Sequence, residues 1–310
     1  MSGAGEAMRP ARFRRLPPEV VRMRNTLNFN ASRRELITLT GPDAAGMLAY
    51  GSGESGGWMT YCLGVAVDEG LLMVADTRTN AGVDNISCYR KLHVVADTPD
   101  RQLHLACSGS LSVSQSVLGR LANHSDLAAA ASLFDAAEIV GKVLHDGNQA
   151  LRDAHSGDKC TGASLLLGGR IGDEAPRLFQ LYPEGNFIEC KPDLPYLQIG
   201  ETKYGRPILD RVVTNRTPLA AAVKAAFLSF DSAMRSNLSV ARPLDLMVLP
   251  AGATEATFLR IEQDDVYFNE LSRRWSAALV QAAATMPDPW FMDEGRSCPL
   301  PNPVTALRAL

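Results

Sequence analysis

The sequence predicts an α+β fold in which two antiparallel sheets pack together beneath layers of helices. Strand-forming runs and helical stretches come in blocks, in the order strands, helices, strands, helices, strand, helix, which is what stacked sheets covered by helices produce. A two-residue turn at Glu69-Gly70 joins the first two strands as a hairpin. A long stretch over 110–154 carries the helical repeat instead of strand alternation.

Each element follows from local pattern. Residues 1–59 are rich in Arg, Pro and Gly, with one short expected strand at 35–40, and are not expected to build a core of their own. The hairpin uses 61–68 and 71–75, and its pairing is expected to set residue 63 opposite residue 76. Strands at 86–95 and 102–107 precede the helical stretch, which is expected to break near 123–126. Leu133, Ala136, Ala137, Val140 and Val143 supply its apolar face, and Gly157-Asp158-Lys159 stops it. Strands are then expected at 163–167, 178–182, 187–190 and 196–199, with Pro183-Glu184-Gly185-Asn186 as the turn between the second and third. Helices at 204–213 and 219–234 lead to an apolar strand at 244–249, ended by Pro250, and a last helix at 264–284. The proline-rich tail beyond Met286, with Trp290-Phe291, reads as extended, docked on a neighbouring subunit or frayed.

Composition bounds the class of protein. The 310 residues are 46% hydrophobic and 21% charged, ordinary for a water-soluble chain, and residues from 60 onward are numerous enough for one sizeable core. A net charge of −3 argues against nucleic acid as a partner, although arginines concentrate before Met59. No apolar run is long enough to span a membrane, and no secretory segment opens the chain, so a cytoplasmic location is expected. The six cysteines form no C-x-x-C pair and the five histidines show no ligand spacing, so neither disulfides, a metal nor a cofactor is expected.

The chemistry concentrates between Met59 and Lys91. A threonine hydroxyl is a weak nucleophile, and its own α-amine can take the proton once that amine is free. A chain-terminal amine has a pKa of about 7.7 to 8.0, close to the pH at which a general base works best. Thr60 can therefore supply both nucleophile and base. The hairpin returns Asp76 to the neighbourhood of Thr60, and Lys91 follows from the next strand with an ammonium able to bias the protonation of both groups. Cys62 is a rival nucleophile on the same strand face, although a half-buried strand cysteine is more often inert packing. Arg78 reads as structural, bridging Asp76 to a carbonyl.

These residues, together with Met59-Thr60-Tyr61-Cys62, the ADTRTNAGVD stretch from Ala75 and the YRKLHV stretch from Tyr89, resemble the proteasome β-type, N-terminal-nucleophile (Ntn) peptidases. Within them the segment resembles the Anbu, or ancestral beta subunit, family, from Met59 to about residue 310. The resemblance implies a four-layer αββα sandwich over 60–310, with Thr60 as nucleophile, Asp76 as its acidic partner and Lys91 as catalytic lysine. It also implies that the Gly109 N–H helps form an oxyanion hole and that Ser239 is the serine of a supporting pair. Two positions depart from that pattern. Proteasome β subunits carry a serine between glycines where this chain reads Gly200-Glu201-Thr202, and an Asp-x-x-Ser pair where it reads Ser236-Asn237-Leu238-Ser239.

The implied reaction is cleavage of a peptide or amide bond through an acyl-enzyme on Thr60, inside a ring or spiral of identical subunits. No G-x-x-x-x-G-K-[ST] motif is present, so unfolding of a protein substrate calls for a separate unfoldase or adaptor. Two other functions fit the same residues: an Ntn amidase for a specialised small substrate, and a catalytically weak proteasome-like scaffold. Residues 1–59 read as a start-site artefact, a propeptide cut at Met59-Thr60, or a retained arm. Family members begin at the methionine matching Met59, which favours the first reading. A retained arm would leave Thr60 without a free amine.

Overall fold

The computed structural model describes residues 60–80, 86–154 and 162–289. Along the chain run β1 (Tyr61–Val67), β2 (Gly70–Asp76), β3 (Arg78–Asn80), β4 (Ile86–Cys88), β5 (Leu92–Thr98) and β6 (Arg101–Gly109), followed by α1 (Leu111–Leu121), α2 (Ser125–Ala129) and α3 (Leu133–Ala154). Four strands follow, β7 (Ala163–Ile171), β8 (Arg177–Leu181), β9 (Phe187–Glu189) and β10 (Tyr196–Gly200), then α4 (Arg206–Val212) and α5 (Leu219–Ser236). β11 (Leu244–Pro250), β12 (Thr257–Ile261) and α6 (Val266–Thr285) complete the order.

The strands form two five-stranded antiparallel sheets, ordered β10-β1-β2-β11-β12 and β5-β6-β7-β8-β9, and a two-stranded ribbon of β3 and β4. Successive side chains of a strand point to opposite faces. Cys62, Met73, Ala75 and Met247 of the first sheet accordingly turn toward Ala106, Leu166 and Leu178 of the second, and these residues make the layer between the sheets. The opposite face of the second sheet, with Leu105, Leu165, Leu167 and Phe179, is covered by Val117, Leu133, Val140 and Leu144 of α1 and α3. On the far side of the first sheet Tyr61 stacks on Phe230 of α5 at 4.2 Å between ring centroids. Helices, sheet, sheet, helices is the αββα sandwich implied by the resemblance.

The hairpin differs from expectation in register. Its turn is Asp68-Glu69, not Glu69-Gly70, so Leu63 faces Val74 and Cys62 faces Ala75. Gly70 pairs instead of turning: its φ is +143°, and a Cβ there would lie 2.4 Å from the Leu249 carbonyl oxygen of the neighbouring strand. The two-residue shift brings Asp76 nearer to Thr60 than the predicted pairing does.

Other boundaries shift for identifiable reasons. The run at 86–95 is two strands, because β4 pairs with β3 in the ribbon while β5 pairs with β6 in the second sheet. The helical stretch breaks twice, after Leu121 and after Ala129, and the Ser110 hydroxyl caps α1 by accepting from the Val113 N–H. β12 pairs with β11 although Thr257–Ile261 carries no clear apolar alternation. The expected strand at 35–40, the Gly157-Asp158-Lys159 stop and the tail from 290 lie outside the described residues.

The chain divides after Gln263 into two compact units. In the second, α6 starts at Asp265, whose carboxylate accepts from the Phe268 N–H at 2.8 Å, and Glu270 pairs with Arg273 and Arg274 along its surface. No helix among the described residues is long and apolar enough to cross a membrane.

Candidate active site

Thr60 immediately precedes β1 and is 6% exposed. Antiparallel pairing of β1 with both β2 and β10 fixes its surroundings. From one side the Tyr61 N–H donates to Asp76 Oδ1 at 2.9 Å. From the other, the Glu201 N–H donates to the Thr60 carbonyl oxygen at 2.7 Å. Gly200 makes the second contact possible: at φ +82°, a Cβ on it would sit 2.1 Å from that oxygen and 2.9 Å from Ser108 Oγ.

Asp76 is the hub. Its side chain is fully buried and accepts from Lys91 Nζ at 2.8 Å, from the Tyr61 N–H and, at 3.2 Å, from the Arg78 N–H, with a further backbone bond from Ala241. Burial pushes its carboxyl up to about 6, opposed by the Lys91 charge and these hydrogen bonds. Lys91 lies just before β5, in the break between β4 and β5, and also donates to the Arg78 carbonyl. Thr60 just before β1, Asp76 at the end of β2 and Lys91 just before β5 are thus gathered at strand ends, linked through the Tyr61 N–H and the Asp76 carboxylate.

The remaining sequence candidates take distinct places. Gly109 ends β6 at φ +97°, where a Cβ would lie 2.2 Å from the Gly162 carbonyl oxygen, and it follows the Ser108 that flanks Gly200. Ser239 lies in the turn after α5, and its N–H donates to Asn237 Oδ1 at 3.0 Å. Ser236, at the position of the family aspartate, is exposed at the end of α5. Arg78 does reach a carbonyl, that of Leu238 at 2.6 Å, but it is the Arg78 backbone and not its guanidinium that meets Asp76. Cys62 is fully enclosed, and burial raises its thiol well above the ordinary range, which disfavours the reactive thiolate.

Three contributors had no signal of their own in the sequence. Tyr61 bonds Ser229 through its hydroxyl at 2.7 Å and receives Gln198 Nε2 at 2.6 Å, which locks the start of β1 onto α5 and β10. Asn237 connects the turn bearing Ser239 to Glu201 through a 2.7 Å bond. Ser108 lies beside the Gly200–Thr60 contact, buried, with no hydrogen-bond partner for its hydroxyl among the described residues. Cys62, Cys88, Cys107 and Cys190 are free thiols, whereas Cys160 and Cys298 lie outside the described residues. No group of three or more His, Cys, Asp and Glu among the described residues is placed to hold a metal ion.

A four-layer sandwich opening on a buried threonine, with an aspartate and a lysine converging on the first strand, defines an Ntn scaffold of the proteasome type. A family model described as proteasome subunit matches residues 59–248. Among solved structures, Anbu (ancestral beta-subunit) from Yersinia bercovieri is 40% identical, with 74% of this chain and 98% of that chain covered and a TM-score of 0.69. An Anbu (Gly-1) mutant from Hyphomicrobium sp. strain MC1 is 41% identical, with 74% and 99% covered and a TM-score of 0.69. A helical assembly of the Anbu complex from Pseudomonas aeruginosa is 38% identical, with 74% and 98% covered and a TM-score of 0.68. No curated protein matches the chain. The chain belongs to the proteasome subunit family and, within it, to the Anbu group.

Proposed function

We propose that the protein is an N-terminal-threonine hydrolase that cleaves peptide or amide bonds through an acyl-enzyme on Thr60. The observation that carries this reading is the buried Lys91–Asp76 pair hydrogen-bonded to the backbone N–H of Tyr61, the residue directly after Thr60. A buried ion pair is a poor source of stability. Placed beside a candidate nucleophile, it is a means of setting that nucleophile's protonation.

In the proposed reaction, the free α-amine of Thr60 accepts the proton of the Thr60 hydroxyl, directly or through a water. Oγ attacks the substrate carbonyl carbon, and the Gly109 N–H donates to the developing oxyanion. The amine returns the proton to the leaving nitrogen as the C–N bond breaks. Water then attacks the ester and releases the acid from Thr60. Lys91 and Asp76 hold the electrostatic field, and Ser239 supports the neighbouring turn. The chemistry requires a mature chain that begins at Thr60, whether residues 1–59 are never translated or are cut away, so that its amine is free. A cytoplasmic location fits the absence of any membrane-crossing helix among the described residues.

We further propose self-association, motivated by the relative from Pseudomonas aeruginosa described as a helical assembly. A light-scattering mass of a single subunit at micromolar concentration would remove that part of the proposal.

The test of the reaction is turnover of a panel of fluorogenic peptide amides by protein beginning at Thr60. Thr60→Ala should abolish turnover, while Thr60→Ser, which keeps hydroxyl and amine, should retain a measurable fraction. Full activity in Thr60→Ala would refute the mechanism.

A further inference from the structure

We propose that Glu201 and Asn237 form a clamp that positions Thr60 for reaction, in place of the serine and the aspartate that the family pattern carries where this chain has Glu201 and Ser236. The proposal rests on the hydrolase reading above and adds a positioning residue to it.

Glu201 is 7% exposed and bonded in three directions. Its N–H holds the Thr60 carbonyl at 2.7 Å. Its Oε1 accepts from the N–H groups of Lys203 at 2.6 Å and Tyr204 at 3.1 Å, which secures the approach to α4. Its Oε2 accepts from Asn237 Nδ2 at 2.7 Å. The other end of the same amide, Asn237 Oδ1, accepts from the Ser239 N–H, and the Asn237 N–H donates to the Ala233 carbonyl at the end of α5 at 2.8 Å.

The bonds close into a circuit around the nucleophile. From Thr60 it runs through Glu201 to Asn237 and, one residue on, to the Leu238 carbonyl, which accepts from the Arg78 guanidinium. The Arg78 N–H donates to Asp76, and Asp76 accepts from the Tyr61 N–H, next to Thr60. Every link joins segments far apart in sequence, apart from the short steps 76–78, 237–238 and 60–61. A single hydroxyl in the place of Glu201 could not accept from three donors at once, because it has only two lone pairs. The carboxylate does so, and its 2.7 Å bond to Asn237 has the length of a charge-assisted bond. Such a frame fixes the Thr60 backbone on both sides, and reaction rates depend steeply on placement of that kind.

The geometry specifies a test by polarity reversal. In Glu201→Gln, Oε1 can still accept from Lys203 and Tyr204, but an amide nitrogen then faces Asn237 Nδ2, donor against donor. In Asn237→Asp, two carboxylates face each other. The combined Glu201→Gln/Asn237→Asp variant restores one donor and one acceptor with the bond reversed and the net charge unchanged. In protein beginning at Thr60, each single change should slow acylation of Thr60 by a β-lactone about tenfold, and the pair should recover to within about threefold of the parent. Amide exchange at Ser239 should accelerate in the single variants and slow again in the pair, with melting temperature recorded for all four proteins. Single variants that acylate within about twofold of the parent, or a pair no faster than its slower member, would overturn the role. A parent that takes no label would refute the hydrolase reading and with it the catalytic purpose of the clamp, while Ser239 exchange would still decide whether the clamp holds.

Discussion

Lys91 Nζ lies 2.8 Å from Asp76 Oδ1, with the two side chains 7% and 0% exposed, so each charge has its counter-ion and almost no access to water. Removing one member strands the other. Lys91→Ala is expected to cost about 3 kcal/mol or more of unfolding free energy, read by urea titration. It should also slow Thr60 acylation by at least about a hundredfold, as loss of a preorganised electrostatic group does. Lys91→Arg should recover stability better than rate, because a planar guanidinium cannot make the same pair of contacts to Asp76 and the Arg78 carbonyl.

Asp76 sets a pH dependence. Burial raises its folded-state pKa to about 6, above the unfolded value of about 3.9, so the folded chain holds the proton more tightly. Its contribution to stability is fully present below about pH 4 and is lost as pH rises through about 6. Asp76→Asn should flatten the stability-against-pH curve in that window. Acylation of Thr60 has the opposite trend, rising through about 6 as Asp76 ionises and again through about 7.7 to 8.0 as the α-amine loses its proton.

Gly200→Ala tests the close approach of β10 to Thr60. The left-handed backbone alone costs roughly 1–2 kcal/mol with a side chain. The added methyl would also lie 2.1 Å from the Thr60 carbonyl oxygen, so that strand and nucleophile must separate. The melting temperature should fall, and acylation should fall with it.

Cys62→Ala separates the two candidate nucleophiles. The thiol is enclosed and its ionisation is suppressed by burial, so the variant should keep Thr60 acylation within about threefold of the parent. Iodoacetamide should leave Cys62 unmodified in the folded protein, as peptide mapping would show.

Much of this site is legible locally. Thr60, Asp76 and Lys91 fall within one stretch whose hairpin follows from its apolar pattern, and their convergence needs only antiparallel pairing. The register of that hairpin is not legible, because Glu69-Gly70 is as good a turn as Asp68-Glu69 until the neighbouring strand at Leu249 and Pro250 is in place. β12 escapes for a similar reason: its membership is decided by the free edge of β11 and not by its own sequence. Glu201 stands out in the sequence only as a departure from a family pattern, and Asn237 not at all. Their partnership joins the loop after β10 to the turn after α5, and no spacing rule connects those two places.

The most direct measurement is mass spectrometry of protein beginning at Thr60 after exposure to a peptide epoxyketone, an inhibitor that requires both the hydroxyl and the free amine of an N-terminal threonine. One adduct per chain is expected, mapped to Thr60 and absent in Thr60→Ala. An unmodified Thr60, or an adduct on Cys62, would refute Thr60 as the nucleophile.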